Sequence, residues 1–146
     1  MKRLLALALA LCLLCGCAAP DAPAANGDVD VDLTLLSDTV VLSEVADMLN
    51  NPQRYTDQVI RMEGTFNVVQ NPVTGRYYFT CLIADAMACC AQGFEFVLTE
   101  DKVYPQDYPA QGDPIRVVGT FGTYLEEDTV YCQLEDARLE EGGVTP

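Results

Sequence analysis

The chain has 146 residues, with 22 acidic against 8 basic side chains and no histidine, for a formal charge of −14. Such a field repels nucleic acid and anionic lipid surfaces, so neither is expected as a partner, whereas cations and plain solubility suit it. Without histidine a Ser-His-Asp nucleophile is excluded, and no glycine loop has phosphate-cradling spacing, so an enzyme is not expected.

Met1-Lys2-Arg3 supplies a positive start, and Leu4 to Leu14 is an unbroken apolar run, the pattern of a signal peptide over residues 1–16. The run is shorter than the roughly 20 apolar residues needed to span a bilayer. It closes on Leu14-Cys15-Gly16-Cys17, which resembles the lipobox of bacterial lipoproteins, with Cys15 standing where Ala, Ser or Thr is commoner. That resemblance implies cleavage before Cys17 and acylation of its thiol. The lipid bilayer would then hold the mature chain at the extracytoplasmic face of the bacterial cell membrane. Anchoring is stable with two acyl chains, since one binds only marginally. Loss of residues 1–16 removes Lys2 and Arg3 and leaves six basic against 22 acidic side chains, a mature charge of −16.

Residues 17–38 read as a flexible tether, because Ala18 to Asp32 is Ala, Pro, Asp, Gly and Asn with only Val29 and Val31 as larger apolar side chains. Residues 39–141 then form one domain and 142–146 a C-terminal tail. Within the domain, Ser43 caps a short helix whose Val45, Met48 and Leu49 fall at helical spacing, and Pro52 ends it. Gln58 to Val69 and Arg76 to Ala84 read as strands joined through the turn chemistry of Asn71-Pro72-Val73-Thr74-Gly75. A third strand covers Phe94 to Leu98. After a connection containing Tyr and Pro, Pro114 to Tyr124 and Thr129 to Leu139 make a last hairpin through Glu126-Glu127-Asp128. Five antiparallel strands, with Gly64 and Gly119 placed to bend two of them, predict a mainly all-β chain closed into a small barrel.

Val59-Ile60-Arg61-Met62-Glu63-Gly64-Thr65-Phe66 and its echo Ile115-Arg116-Val117-Val118-Gly119-Thr120-Phe121 resemble the first and fourth strands of an OB-fold. Pro52-Gln53-Arg54-Tyr55-Thr56-Asp57 is similar to the lead-in of OB-like domains on bacterial envelope proteins. Ala88-Cys89-Cys90-Ala91, near Asp85, resembles uncharacterised Gram-positive lipoproteins and the C-terminal domain of YcgQ-type permease subunits. The resemblance covers about residues 40 to 140. It implies a five-stranded OB-like barrel with a short N-terminal helix, and an envelope transporter as partner.

Once the signal is removed and Cys17 is acylated, Cys81, Cys89, Cys90 and Cys132 remain. Alternation puts Cys81 on one face with Phe79 and Ile83, and Cys132 with Val130 and Leu134, so both point toward the core, with Cys89 and Cys90 in the loop after the second strand. Four thiolates suit zinc, although the spacing is not Cys-x-x-Cys. An oxidising exterior equally allows disulfides among the four, the adjacent pair being the least favourable. A redox role needs an activated thiol, and no basic residue lies near Cys89. Unpaired cysteines would instead pack as small hydrophobes. The sharper expectation is a module binding zinc through these cysteines in support of envelope transport. The alternative is a disulfide-stapled domain contacting an envelope protein or a glycan.

Two further groupings stand out. Asp85, Glu95, Glu126, Glu127 and Asp128 are candidates for a hard cation or, more simply, a solvated face. Tyr77, Tyr78, Phe79, Phe94 and Phe96 are candidates for a stacking platform, with alternation sending part of the set into the core.

Cys17→Ala is expected to abolish incorporation of radiolabelled palmitate and to move the protein from the membrane to the soluble fraction. Continued membrane retention without label would exclude the anchor.

Overall fold

The computed structural model describes residues 29–84, 91–99 and 101–140. Over these described residues the chain is mainly β, with one α-helix and one mixed sheet of six strands. The strands are β1 (Val31–Asp32), β2 (Val59–Gln70), β3 (Tyr77–Ala84), β4 (Ala91–Leu98), β5 (Pro114–Glu126) and β6 (Thr129–Glu140), and helix α1 is Asp38–Asn50.

Helix α1 starts earlier than the sequence predicts. Its N-cap is Ser37, whereas Ser43 lies inside it and donates its hydroxyl to the Thr39 carbonyl at 3.3 Å. The reason is Val41, which extends the stripe of Val45 and Met48 by one turn; all three are buried, while Leu49 is largely exposed. Beyond the helix, Pro52 opens a 3-10 turn, Pro52–Arg54, where it lacks nothing that a first-turn amide would supply.

The tether read at 17–38 is corrected at its end. Val31 and Asp32 pair in parallel with Ile60 and Arg61, and Leu33, in the 3-10 turn that follows, is buried with the core. Asp32 fixes this entry point. Its carboxylate accepts from the Thr34 amide and hydroxyl at 3.1 and 2.6 Å and from Arg61 Nη1 at 2.8 Å. A two-residue strand has no periodicity to detect, so composition alone dominated the sequence reading.

The expected hairpins are present: β2 pairs antiparallel with β3, and β5 with β6. The expectation of five antiparallel strands is corrected on two counts. β1 adds a sixth strand, and β4 pairs in parallel with β6, through Glu95 with Gln133 and Phe96 with Leu134. Because β2 also pairs with β5, neighbours run β2-β3-β4-β6-β5 and return to β2. A cycle of five neighbours cannot alternate direction all the way round, so one pair must be parallel. β2 serves both sides of the cycle, facing β5 along Val59 to Thr65 and β3 along Thr65 to Gln70. The handover occurs at Thr65, and at the preceding Gly64 a Cβ would lie 2.4 Å from the Leu82 carbonyl oxygen.

Inside this cycle sit Ile60, Met62, Phe66, Phe94, Phe96, Val117, Phe121 and Leu134, with the α1 stripe in the same cluster. Phe94 meets Phe121 edge-on with ring centres 5.3 Å apart. Among the described residues, no helix is long and apolar enough to cross a membrane.

The tightest approach in the sheet is at Gly93, where a Cβ would stand 1.8 Å from the Cys81 carbonyl oxygen. Gly93→Ala must therefore push β3 and β4 apart. Urea unfolding should show a loss of at least about 1–3 kcal/mol, the usual cost of overpacking.

Candidate functional site

The two hairpins end near one another. In the first turn, the Asn71 side-chain oxygen accepts from the amides of Val73 and Thr74 at 2.9 and 3.1 Å, and the Asn71 amide donates to the Arg76 carbonyl at 2.8 Å. In the second, Glu127 and Asp128 both take positive φ, 46° and 64°, between the paired Glu126 and Thr129. That is the primed turn geometry that suits a tight hairpin. Between the tips lies a cleft of about 380 Å3, walled chiefly by Tyr78, Thr80, Glu95, Tyr124, Glu126 and Tyr131.

Alternation sends these side chains outward. Along β3, Tyr78 and Thr80 alternate with Phe79 and Cys81, and along β4, Glu95 lies between the buried Phe94 and Phe96. Tyr124 and Tyr131 are cross-strand partners with stacked rings 5.4 Å apart. The Tyr124 hydroxyl is 2.8 and 2.9 Å from the two Glu95 carboxylate oxygens, to which it donates. The Tyr78 hydroxyl donates to Glu126 at 2.5 Å. The Arg76 guanidinium lies 4.9 Å from the Tyr78 ring centre, 5.5 Å from that of Tyr124, and 3.7 Å from a Glu126 oxygen. The walls are thus held in position by their own polar contacts.

Desolvation raises the Glu95 carboxyl above the ordinary glutamate value, while the Tyr124 hydrogen bond and the Arg76 charge pull the other way. Burial, then the bond to Glu95, raises Tyr124. The bond to Glu126 raises Tyr78. The phenols stay protonated as donors, and the carboxylates act as acceptors.

The candidates from sequence sort unevenly. Tyr78, Glu95, Glu126 and Glu127 converge on the cleft. The rest of the aromatic platform does not: Phe94 and Phe96 are core, and Tyr77 and Phe79 stack instead with Tyr104 and Tyr108. Glu95 and Glu126, candidates for a hard cation or, more simply, a solvated face, accept from tyrosine hydroxyls. Asp85 lies outside the described residues, as do Cys17, Cys89 and Cys90. Tyr124 and Tyr131 went unread, and their signal was their position on either side of an acidic two-residue turn.

Cys81 and Cys132 are free thiols. They occupy β3 and β6 with β4 between, so their backbones stand about 10 Å apart, two strand spacings, beyond the reach of a disulfide. Cys81 is fully buried, and burial pushes its thiol up to about 12, far from the thiolate a metal needs. Burial likewise raises Cys132, which is less enclosed. Among the described residues, no three Cys, Asp or Glu side chains are grouped to hold a metal.

No family model matches the chain, and neither does any curated protein or solved structure.

Because folded Glu95 keeps its proton to higher pH than the unfolded chain does, it favours folding at low pH. Its contribution declines as pH rises from the ordinary glutamate value through the raised one. Carbon-detected NMR titration should give a Glu95 midpoint above that of an ordinary glutamate, and Tyr124→Phe should move it higher still by removing a bond to the charged form. A downward shift in Tyr124→Phe would mean that the hydroxyl does not serve the carboxylate.

Proposed function

We propose that this protein is a non-catalytic binding module of the bacterial cell surface, built on an OB-like barrel and anchored by acyl chains on Cys17. In this reading its ligand sits in the cleft between the hairpin tips. The cycle of five neighbouring strands supports the OB-like reading, which implies a five-stranded barrel, while the parallel β4–β6 pair departs from the antiparallel expectation. The observation that carries the binding reading is the cleft itself: a concave outward face in which Tyr78 and Tyr124 are fixed by hydrogen bonds to Glu126 and Glu95, and Tyr131 by stacking on Tyr124. Pockets with aromatic walls and a few placed polar groups are the usual form of a ligand site, and fixed walls lower the ordering cost of binding.

The same geometry favours binding over catalysis. Glu95 and Glu126 each accept from a tyrosine hydroxyl, and Tyr78 and Tyr124 are held protonated, so these four groups offer neither an activated nucleophile nor an unengaged base. The partner is an envelope component, and an envelope transporter stays within the proposal through the sequence resemblance. Zinc handling through Cys81, Cys89, Cys90 and Cys132 is the less favoured reading, because ionising the sealed Cys81 thiol opposes ligation.

NMR of the mature chain carrying Cys17→Ala separates the two. Chitotetraose or a short basic peptide should shift the resonances of Tyr78, Glu95, Tyr124 and Tyr131, and zinc chloride should not. Responses to zinc confined to the segment carrying Cys89 and Cys90, with a cleft silent to both organic probes, would replace binding in the cleft with metal handling.

A further inference from the structure

The cleft already holds a cation at its edge, and that cation belongs to the chain. Arg76 follows the β2–β3 turn, and its guanidinium rests across the rings of Tyr78 and Tyr124 beside Glu126. Aromatic faces backed by carboxylates are the arrangement that recognises ammonium and guanidinium groups. Arg76 is held only lightly, since its side chain is half-exposed and such ion pairs contribute little. It also borders a neighbouring hollow of about 300 Å3 that shares Tyr78 and Glu95 with the cleft, so it rests on a wall common to both. Among the described residues lining the cleft, Glu95, Glu126 and Glu127 are charged and none is basic.

We propose that the cleft recognises a lysine or arginine side chain on an extended segment of a partner polypeptide, and that Arg76 occupies the place of that side chain until the partner arrives. The inference rests on the reading of the cleft as the binding site and names what it binds. A polypeptide, rather than a free amine, follows from the rim. Val69 and Pro72, both exposed, line the cleft beside the charged centre on the first hairpin, and Tyr131 flanks it on the second. This apolar margin forms a surface for the neighbours of the recognised side chain.

The chain itself does not supply the occupant. Residues 18–28, 85–90 and 141–146 contain no lysine or arginine. In a second copy, Arg61 and Arg116 are held by partly buried carboxylates of their own chain. Two mature copies at −16 each also repel one another, which opposes docking of any other basic side chain of a second copy. The complementary partner is a basic segment of another protein, and charge steers its approach.

The test uses the mature chain with Cys17→Ala and two labelled short peptides that differ only at the centre, Leu-Arg-Val against Leu-Gln-Val. The arginine peptide should bind with shifts at Tyr78, Glu95 and Tyr124, while the glutamine peptide binds at least about tenfold more weakly. Arg76→Ala, a change at a half-exposed position, should tighten the arginine peptide about fivefold, the effect of removing a cation–π competitor, with an unchanged circular dichroism spectrum. Equal binding of the two peptides, or weaker binding in Arg76→Ala, would overturn the inference. So would free arginine binding as tightly as the peptide, since the site would then serve a small amine. Shifts at the cleft from chitotetraose with neither peptide binding would overturn the cation inference and leave the binding module standing. Silence of the cleft toward every probe would remove both.

Discussion

The structure depends on a parity constraint. β2 pairs with β3 on one side and β5 on the other, so five strands follow one another in a cycle, and directions cannot alternate round an odd number. The conflict is absorbed at β4 and β6, the parallel pair, whose register slips between Phe96 and Leu98. Putting β6 beside β4 requires the chain to leave β4, make the 99–113 connection, and build β5 next to β2 before β6 can return. The core follows from this closure, because each strand turns alternate side chains inward and Phe66, Phe94, Phe96, Phe121 and Leu134 meet there.

The cleft follows from it as well. Closure brings the tip of the β5–β6 hairpin near the tip of the β2–β3 hairpin, and residues 48 positions apart in sequence come into contact through Tyr124 with Arg76 and Tyr78 with Glu126. Polar groups that would otherwise face water separately fix one another. Burying Glu95 among them has a desolvation cost, visible in its raised carboxyl, which the bond from Tyr124 and the Arg76 charge only partly offset.

Local chemistry was legible in the sequence, and what depended on closure was not. The Asn71 to Gly75 turn and the acidic turn before Thr129 announce themselves, because turn residues act over a few bonds. The helix is legible in type but not in start, since Val41 belongs to the stripe only once its burial is known. Alternation places Cys81 in the core correctly, yet a site shared with Cys132 needs β3 and β6 side by side, and β4 intervenes. Tyr77 and Tyr78 are equivalent in composition. One rotation of the strand sends the first toward Tyr104 and the second into the cleft, a distinction that only the three-dimensional partners make.

The Asp32–Arg61–Glu140 ion pairs have a consequence for orientation. They clasp the incoming chain to the first residues of β2 and to the last residue of β6, at one pole of the domain. The cleft sits where β2 ends, at the opposite pole, about 30 Å further along the strand. If Cys17 is the acylated residue, the polypeptide between it and Asp30 reaches at most about 45 Å. An anchor there would enter the domain at the pole remote from the cleft, leaving the cleft open on the side opposite the point of attachment.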